Sequence, residues 1–285
     1  MIYIQNKLKL YGFNNLTKSL SFNIYDICYA KSEREQRDYI AYIDSQYNSE
    51  RLTNIMYQLT KMIGAQVLSV SNQDYDPQGA SVTFLVAEQN MRPGKIKTDK
   101  ISQTTEIAEN VEIKIISPDV VLAHLDKSHI TVHTYPEFHP ETSIATFRVD
   151  IDISTCGEIT PLSTLDFLIG SFESDIITMD YRVRGFTRDV SGKKIFNDGD
   201  ITSVQDFIDA KTLEKYDAYD LNVYQSNIFH TKLLIKDVHL QNYLFNSDVY
   251  ELEPKRRLAI TNSLRQEMIE IFSGVNVYTG STENG

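Results

Sequence analysis

The chain has 285 residues, with 28 Lys and Arg against 39 Asp and Glu, a formal charge of −11. At roughly 150 residues per domain this is one large domain or two, and the acidic balance argues against nucleic acid or an anionic membrane as the main partner. Cys28 and Cys156, the only cysteines, cannot build a disulfide framework or a four-thiolate zinc site; with no signal-peptide core and no run near the roughly 18 apolar residues of a membrane span, the expectation is a soluble, cytoplasmic protein.

In chain order, the first periodic segment runs from Ser32 to Ile63. Ile40, Ile43 and Tyr47 share one face, and Leu52, Ile55, Met56, Leu59 and Met62 another, at the three- and four-residue spacing of amphipathic helix. Asn48 or Ser49 breaks the segment in two, and Gly64 suits a left-handed C-terminal position. Strands follow at 66–70 and 81–87, joined through Asp76-Pro77-Gln78-Gly79, where Pro presets φ and Gly permits a tight bend. From Gln89 to Pro118 the pattern weakens to a polar, Lys-rich stretch, read as a loop insertion; a short basic binding tract is the alternative.

The clearest strand spans 145–154, where Ala145, Phe147, Val149, Ile151 and Ile153 alternate with polar residues. A helix opening on Pro161 runs to Glu173, a strand covers 176–184, a short helix 203–213 and a further strand 228–236. A C-terminal helix covers 253–272, with Leu264, Met268 and Ile271 inward and Gly274 past its end. Strands with two unlike faces, interspersed with helices, predict an α+β fold: a mainly antiparallel sheet with helices on one face. Walker A, dinucleotide-binding, nucleophile-elbow and HExxH motifs are absent.

The polar cluster from His124 to Glu141 holds four of the six histidines, His124, His129, His133 and His139. In a strand, His129 and His133 share a side but stand about 13 Å apart, too far for one zinc ion. Within this cluster Ser128 lies between Lys127 and His129. Cys156 follows a strand and precedes a helix, where a thiol could act as nucleophile or acid or be a small buried hydrophobe. Arg182, Arg184 and Arg188 read as a basic strand with a solvated or interface role.

Three stretches resemble a known family. Lys127-Ser128-His129-Ile130-Thr131-Val132-His133-Thr134-Tyr135-Pro136-Glu137, then Ser154-Thr155-Cys156-Gly157-Glu158, resemble the pyruvoyl-dependent S-adenosylmethionine decarboxylase proenzymes of bacteria. Tyr75-Asp76-Pro77-Gln78-Gly79-Ala80-Ser81 resembles the family's aromatic-x-Pro-x-Gly-x-Ser signature, and the terminal parts resemble the larger, enterobacterial-type subgroup. The resemblance covers nearly the whole chain outside Gln89–Pro118. It implies one domain over 1–285, built as a two-layer α/β sandwich.

Decarboxylating an α-amino acid requires an electron sink, and the resemblance implies that the chain makes its own. Ser128 would attack the Lys127 carbonyl; elimination and hydrolysis would then leave chains 1–127 and 128–285, the second starting with a pyruvoyl group. His133 would be the base for this cleavage, a role suited to imidazole, and Ser81 would help to hold the intermediate. Substrate would form a Schiff base with the pyruvoyl ketone, and Cys156 would reprotonate the α-carbon. The product, decarboxylated S-adenosylmethionine, would serve as aminopropyl donor for spermidine.

By the same resemblance Tyr75 stacks on adenine, Glu137 takes the ribose hydroxyls and Phe13 supplies a second ring. Lys127 replaces the Glu of small bacterial members, as in the larger subgroup, which implies Mg²⁺ as activator; its ligands are unknown, and no acidic cluster marks them. Cleaved protomers are expected to associate as dimers or higher oligomers. The alternatives are a pyruvoyl decarboxylase for arginine or ornithine, because the ketone needs only an α-amino acid, and an uncleaved, non-catalytic homologue.

Overall fold

A computed structural model describes residues 15–88 and 128–277, apart from 158, 173, 190 and 197. The expectations for Phe13, Lys127 and the 89–118 insertion lie outside the described residues.

The elements are β1 (Thr17–Tyr29), α1 (Glu33–Gln46), α2 (Ser49–Met62), β2 (Ala65–Asp74), β3 (Ala80–Glu88), β4 (Ser128–His139), β5 (Ile144–Cys156), α3 (Leu165–Ser171), β6 (Ile176–Arg184), a small hairpin of β7 (Thr187–Arg188) and β8 (Lys194–Ile195), α4 (Ala210–Leu213), β9 (Tyr216–Asp220), β10 (Ile228–Ile235) and α5 (Pro254–Ser273). Eight strands form one sheet in the order β2-β3-β4-β5-β1-β6-β10-β9, and every pairing within it is antiparallel.

The long helical segment divides at Asn48, whose side chain accepts from the Arg51 N–H at 2.9 Å and caps α2, satisfying a donor that the helix start would otherwise leave unpaired. The inward stripes match the expectation except at their ends, where Tyr47 is only partly buried and Met62, the last residue of α2, is exposed. Ile40 and Ile43, joined by Tyr39, are buried on α1, and Leu52, Ile55, Met56 and Leu59 on α2. They meet Leu20, Phe22 and Ile24 of β1, Val82, Phe84 and Val86 of β3, Ile130 and Val132 of β4, and the alternating apolar residues of β5, all buried. Two helical expectations are shortened. The segment after Pro161 starts as a 3₁₀ turn, Pro161–Thr164, before α3, and 203–213 divides into a 3₁₀ turn, Val204–Phe207, and α4.

Strand β1 lies at the middle of the sheet, between β5 and β6. Its inward row includes Lys18, only 2 % exposed, whose ammonium meets Asp198 at 3.1 Å. Helices α1–α3 cover one face, as expected. Helix α5 adds a partial layer on the other: Ile260, Leu264 and Met268 pack with Ile27, Tyr29, Ile144 and Ile176, whereas their strand neighbours Cys28, Ala145 and Ile177 belong to the main core. The second face is therefore covered at one end and polar at the other, where Ser19, Ser21, Asp152, Ser154, Asp180 and Arg182 border a cavity of about 790 Å³.

Candidate active site

Alternation along β4 decides what it presents. Ser128, Ile130, Val132, Thr134 and Pro136 are buried on the helix-covered side, so His129, His133, Tyr135 and Glu137 fall on the second face. On β5 the same rule sends Phe147, Val149, Ile151 and Ile153 inward and puts Arg148, Asp150, Asp152, Ser154 and Cys156 on the second face.

Ser128 opens β4 and Cys156 closes β5, and the register, in which His129 faces Ser154, brings them together. The Cys156 N–H donates to Ser128 Oγ at 3.2 Å. Ser128 is 6 % exposed, and the Cys156 side chain is half-buried. The chain after Cys156 turns sharply: Gly157 has φ +73°, its N–H donates to the Leu16 carbonyl at 3.3 Å, and Thr155 Oγ1 donates to the Ile159 carbonyl at 3.1 Å. The following 3₁₀ turn begins only at Pro161 and is capped by Thr160, so Cys156 does not itself stand at a helix start.

A second cluster gathers around His133. Ser81 is its partner on β3, and Tyr75 Oη lies 3.4 Å from His133 Nδ1, either one donating according to the imidazole tautomer. The His133 ring stacks on Tyr135 at 6.3 Å and 17°. The Arg148 guanidinium lies 4.7 Å over the Tyr135 ring and forks onto Asp150, its Nε donating to Oδ1 at 2.8 Å. Asp150 holds Arg148 more firmly protonated than usual, and it is also the β5 partner of His133.

Tyr75 is carried on a turn with a cis Asp76–Pro77 bond. The Tyr75 N–H donates to the Gly79 carbonyl at 2.8 Å. Gly79 has φ +90°, and a Cβ there would stand 2.5 Å from the Thr134 carbonyl oxygen, so this position requires glycine. Two residues that the sequence did not single out hold the turn. Asp44 accepts from the Gly79 N–H at 2.9 Å, and Thr134 accepts from the Ala80 N–H at 2.8 Å. Burial, only partly offset by the Gly79 hydrogen bond, raises the Asp44 carboxyl above its ordinary range. Nothing in their spacing marks Asp44 or Thr134; only the fold brings them to the turn.

Glu137 lies farther along β4, where Thr146 Oγ1 donates to it. Burial, then Glu270 and Glu137, raise the Glu267 carboxyl on α5, which places Glu137 near that helix. The candidates thus fall into separate groups on one protomer. Ser128 and Cys156 touch, and Tyr75, Ser81 and His133 are neighbours. His133, however, is five residues from Ser128 along β4, or about 16 Å, and Glu137 is nine, or about 30 Å. Arg182 and Arg184 line the cavity on the second face, on the side of β1 away from Cys156, since Thr17 pairs with both Cys156 and Arg184. Arg188 stands apart, in β7, donating to the Gly192 carbonyl at 2.6 Å, so the three arginines do not form one basic strand. Among the described residues no group of three or more His, Cys, Asp or Glu is arranged to hold a metal ion, and no helix is long and apolar enough to cross a membrane.

A family model described as S-adenosylmethionine decarboxylase matches residues 43–185. Curated relatives named S-adenosylmethionine decarboxylase proenzyme match nearly end to end. One from Clostridium botulinum (strain Eklund 17B / Type B) is 67% identical over 98% of this chain and 100% of its own. Another, from Clostridium beijerinckii, is 67% identical over the same shares. A third, from Hahella chejuensis, is 54% identical over 96% of this chain and 99% of its own.

Proposed function

Because the chain belongs to the S-adenosylmethionine decarboxylase family, we propose that it cuts itself between Lys127 and Ser128 and then decarboxylates S-adenosylmethionine to S-adenosylmethioninamine, the cytoplasmic aminopropyl donor for spermidine. The observation that carries this reading is the contact between Ser128 Oγ and the Cys156 N–H, which joins two residues 28 apart in sequence. The pyruvoyl group made from Ser128 supplies a ketone that accepts the electron pair released with CO₂. A buried residue at the start of a strand suits such a group, since the rest of the chain already holds it in place.

The surrounding residues take distinct roles. Cys156, on the second face, delivers the proton to the substrate α-carbon. The exposed face of the Tyr75 ring receives adenine, and Glu137 accepts from the ribose hydroxyls. No described cluster fits a Mg²⁺ ion, so no step is assigned to one.

A base about 16 Å from the hydroxyl it serves cannot act within one protomer. His133, Ser81, Tyr75 and Glu137 of one copy therefore serve Ser128 and Cys156 of another, with the polar halves of the two second faces apposed. Cysteine donor and adenosine site then meet across the interface, and the working unit is at least a dimer of cleaved protomers. Mixing tests this arrangement. Ser128→Ala and His133→Ala precursors each stay uncut alone; combined and allowed to exchange subunits, the His133→Ala chain is expected to split after Lys127, visible by intact mass. Failure to split, with mixed oligomers demonstrated, would confine processing to one protomer.

A further inference from the structure

We infer that the buried Lys18–Asp198 ion pair is a positioning device for Cys156, the residue read above as proton donor. Lys18 lies on the helix-covered face among Leu16, Leu20 and Val183, all nearly inaccessible. An ammonium in such surroundings demands a partner, and Asp198 supplies it at 3.1 Å. Asp198 itself stands at φ +60°, a left-handed conformation uncommon for a non-glycine residue, and its Oδ2 also accepts from the Tyr181 hydroxyl at 2.7 Å.

The pair grips the Cys156 turn from both sides. On the entering side, the backbone of Lys18 pairs with Thr155 and that of Thr17 with Cys156, while the Leu16 carbonyl accepts from Gly157. On the leaving side, Thr160 lies beside the Tyr181 hydroxyl, which donates to Asp198. Cys156 and Gly157 on one side and Thr160 on the other are thus held by β1 and by the Tyr181–Asp198 contact, with the ion pair as the link that joins the two. Neither Lys18 nor Asp198 shares a face with the thiol, so they act through backbone position and not by touching substrate.

Loss of this grip has a signature that simple destabilisation lacks. A correctly held thiol returns the proton to the substrate α-carbon. If the proton instead reaches the carbon derived from residue 128, hydrolysis leaves an alanine at that position, with the substrate nitrogen as its amino group, and the substrate departs as an aldehyde. Each such event silences one site and converts a blocked N-terminus into one that can be sequenced.

The test compares cleaved wild type, Lys18→Met, Asp198→Asn and Cys156→Ala by turnovers completed before inactivation and by alanine appearing at residue 128. Lys18→Met keeps the length of the side chain without its charge. It is expected to cut normally, hold KM within about twofold and complete roughly tenfold fewer turnovers, because a misplacement of about 1 Å is enough to cost a reacting group most of its rate. Asp198→Asn keeps an acceptor for both partners and is expected to fold and shift the same ratio less; it carries the test if Lys18→Met does not fold. An unchanged ratio in Asp198→Asn and in any folded Lys18→Met, while Cys156→Ala raises alanine formation, overturns the inference. If Cys156→Ala itself leaves the ratio unchanged, the proton-donor reading fails first.

Discussion

Asp175, just before β6, makes stability depend on pH in a predictable direction. Its carboxyl accepts from the Ile27 N–H at 2.8 Å and the Tyr243 hydroxyl at 2.6 Å, and it hydrogen-bonds Asp26, which also receives the Tyr39 hydroxyl at 3.4 Å. Cys28 and Tyr216 lie close enough for their own acidities to feel the pair. Burial dominates and lifts Asp175 from 3.8 to about 6, with the hydrogen bonds working against it. A carboxyl buried this deeply, at Asp175, keeps a proton that the unfolded chain would release. The folded state therefore binds more protons between about pH 4 and pH 6, and the contribution, full below the unfolded value, is lost as the pH rises through that window. A rise of about two units corresponds to about 3 kcal/mol. Asp175→Asn removes the titration and keeps an amide of the same shape beside Asp26. In urea unfolding of Ser128→Ala single chains, the variant is expected to gain about 3 kcal/mol on its parent between pH 4 and pH 7.5. A difference that stays constant with pH would refute the argument.

Two shorter predictions concern the Tyr75 turn. Gly79→Ala combines φ +90° with a Cβ 2.5 Å from the Thr134 carbonyl; it is expected to cost about 2 kcal/mol or more in unfolding measurements and to slow cleavage of the partner chain. Tyr75→Ala, losing the ring offered to adenine, is expected to raise KM for S-adenosylmethionine about tenfold, the low end of aromatic–base stacking. Tyr75→Phe, which loses only the contact with His133 Nδ1, should keep most of that affinity; an equal rise in both variants would remove stacking as the cause.

Much of the sheet and of the first cluster is written in local pattern. Period-two alternation marks β5, helical spacing marks α1, α2 and α5, and the spacing of Ser128 and Cys156 at two strand ends fits their contact. The central strand β1 was missed even though Leu20, Phe22 and Ile24 alternate with Ser19, Ser21 and Asn23, because Lys18 occupies an inward position and breaks the apolar row. Among the described residues, the distant Asp198 makes that burial tolerable, and no local signal points to it. The same limit applies to Asp44 and Thr134, whose roles arise from a turn reached across 35 and 54 residues. The division of the site was legible in principle. The strand arithmetic that sets His129 and His133 about 13 Å apart also sets His133 about 16 Å from Ser128, so a resemblance naming both as partners already implied more than one chain.

The two faces of the sheet divide the work. Ser128 belongs to the inward row with Thr155, and Cys156, one residue on, must point to the other side. The serine side chain thus starts from the covered side, at the first residue of its strand, where its Oγ meets the Cys156 N–H, while the thiol faces the uncovered surface where a partner copy and substrate can approach. On this reading the proton can come from one side only, and a second face left polar and open at this end is a requirement of the chemistry. Helix α5 fits that requirement. It covers the second face over Tyr29, Ile144 and Ile176 and stops short of the rungs of Cys156, Ser154 and Asp152, which remain beside the cavity. An α5 extended by apolar residues across those rungs would leave the fold intact and close the approach to Cys156.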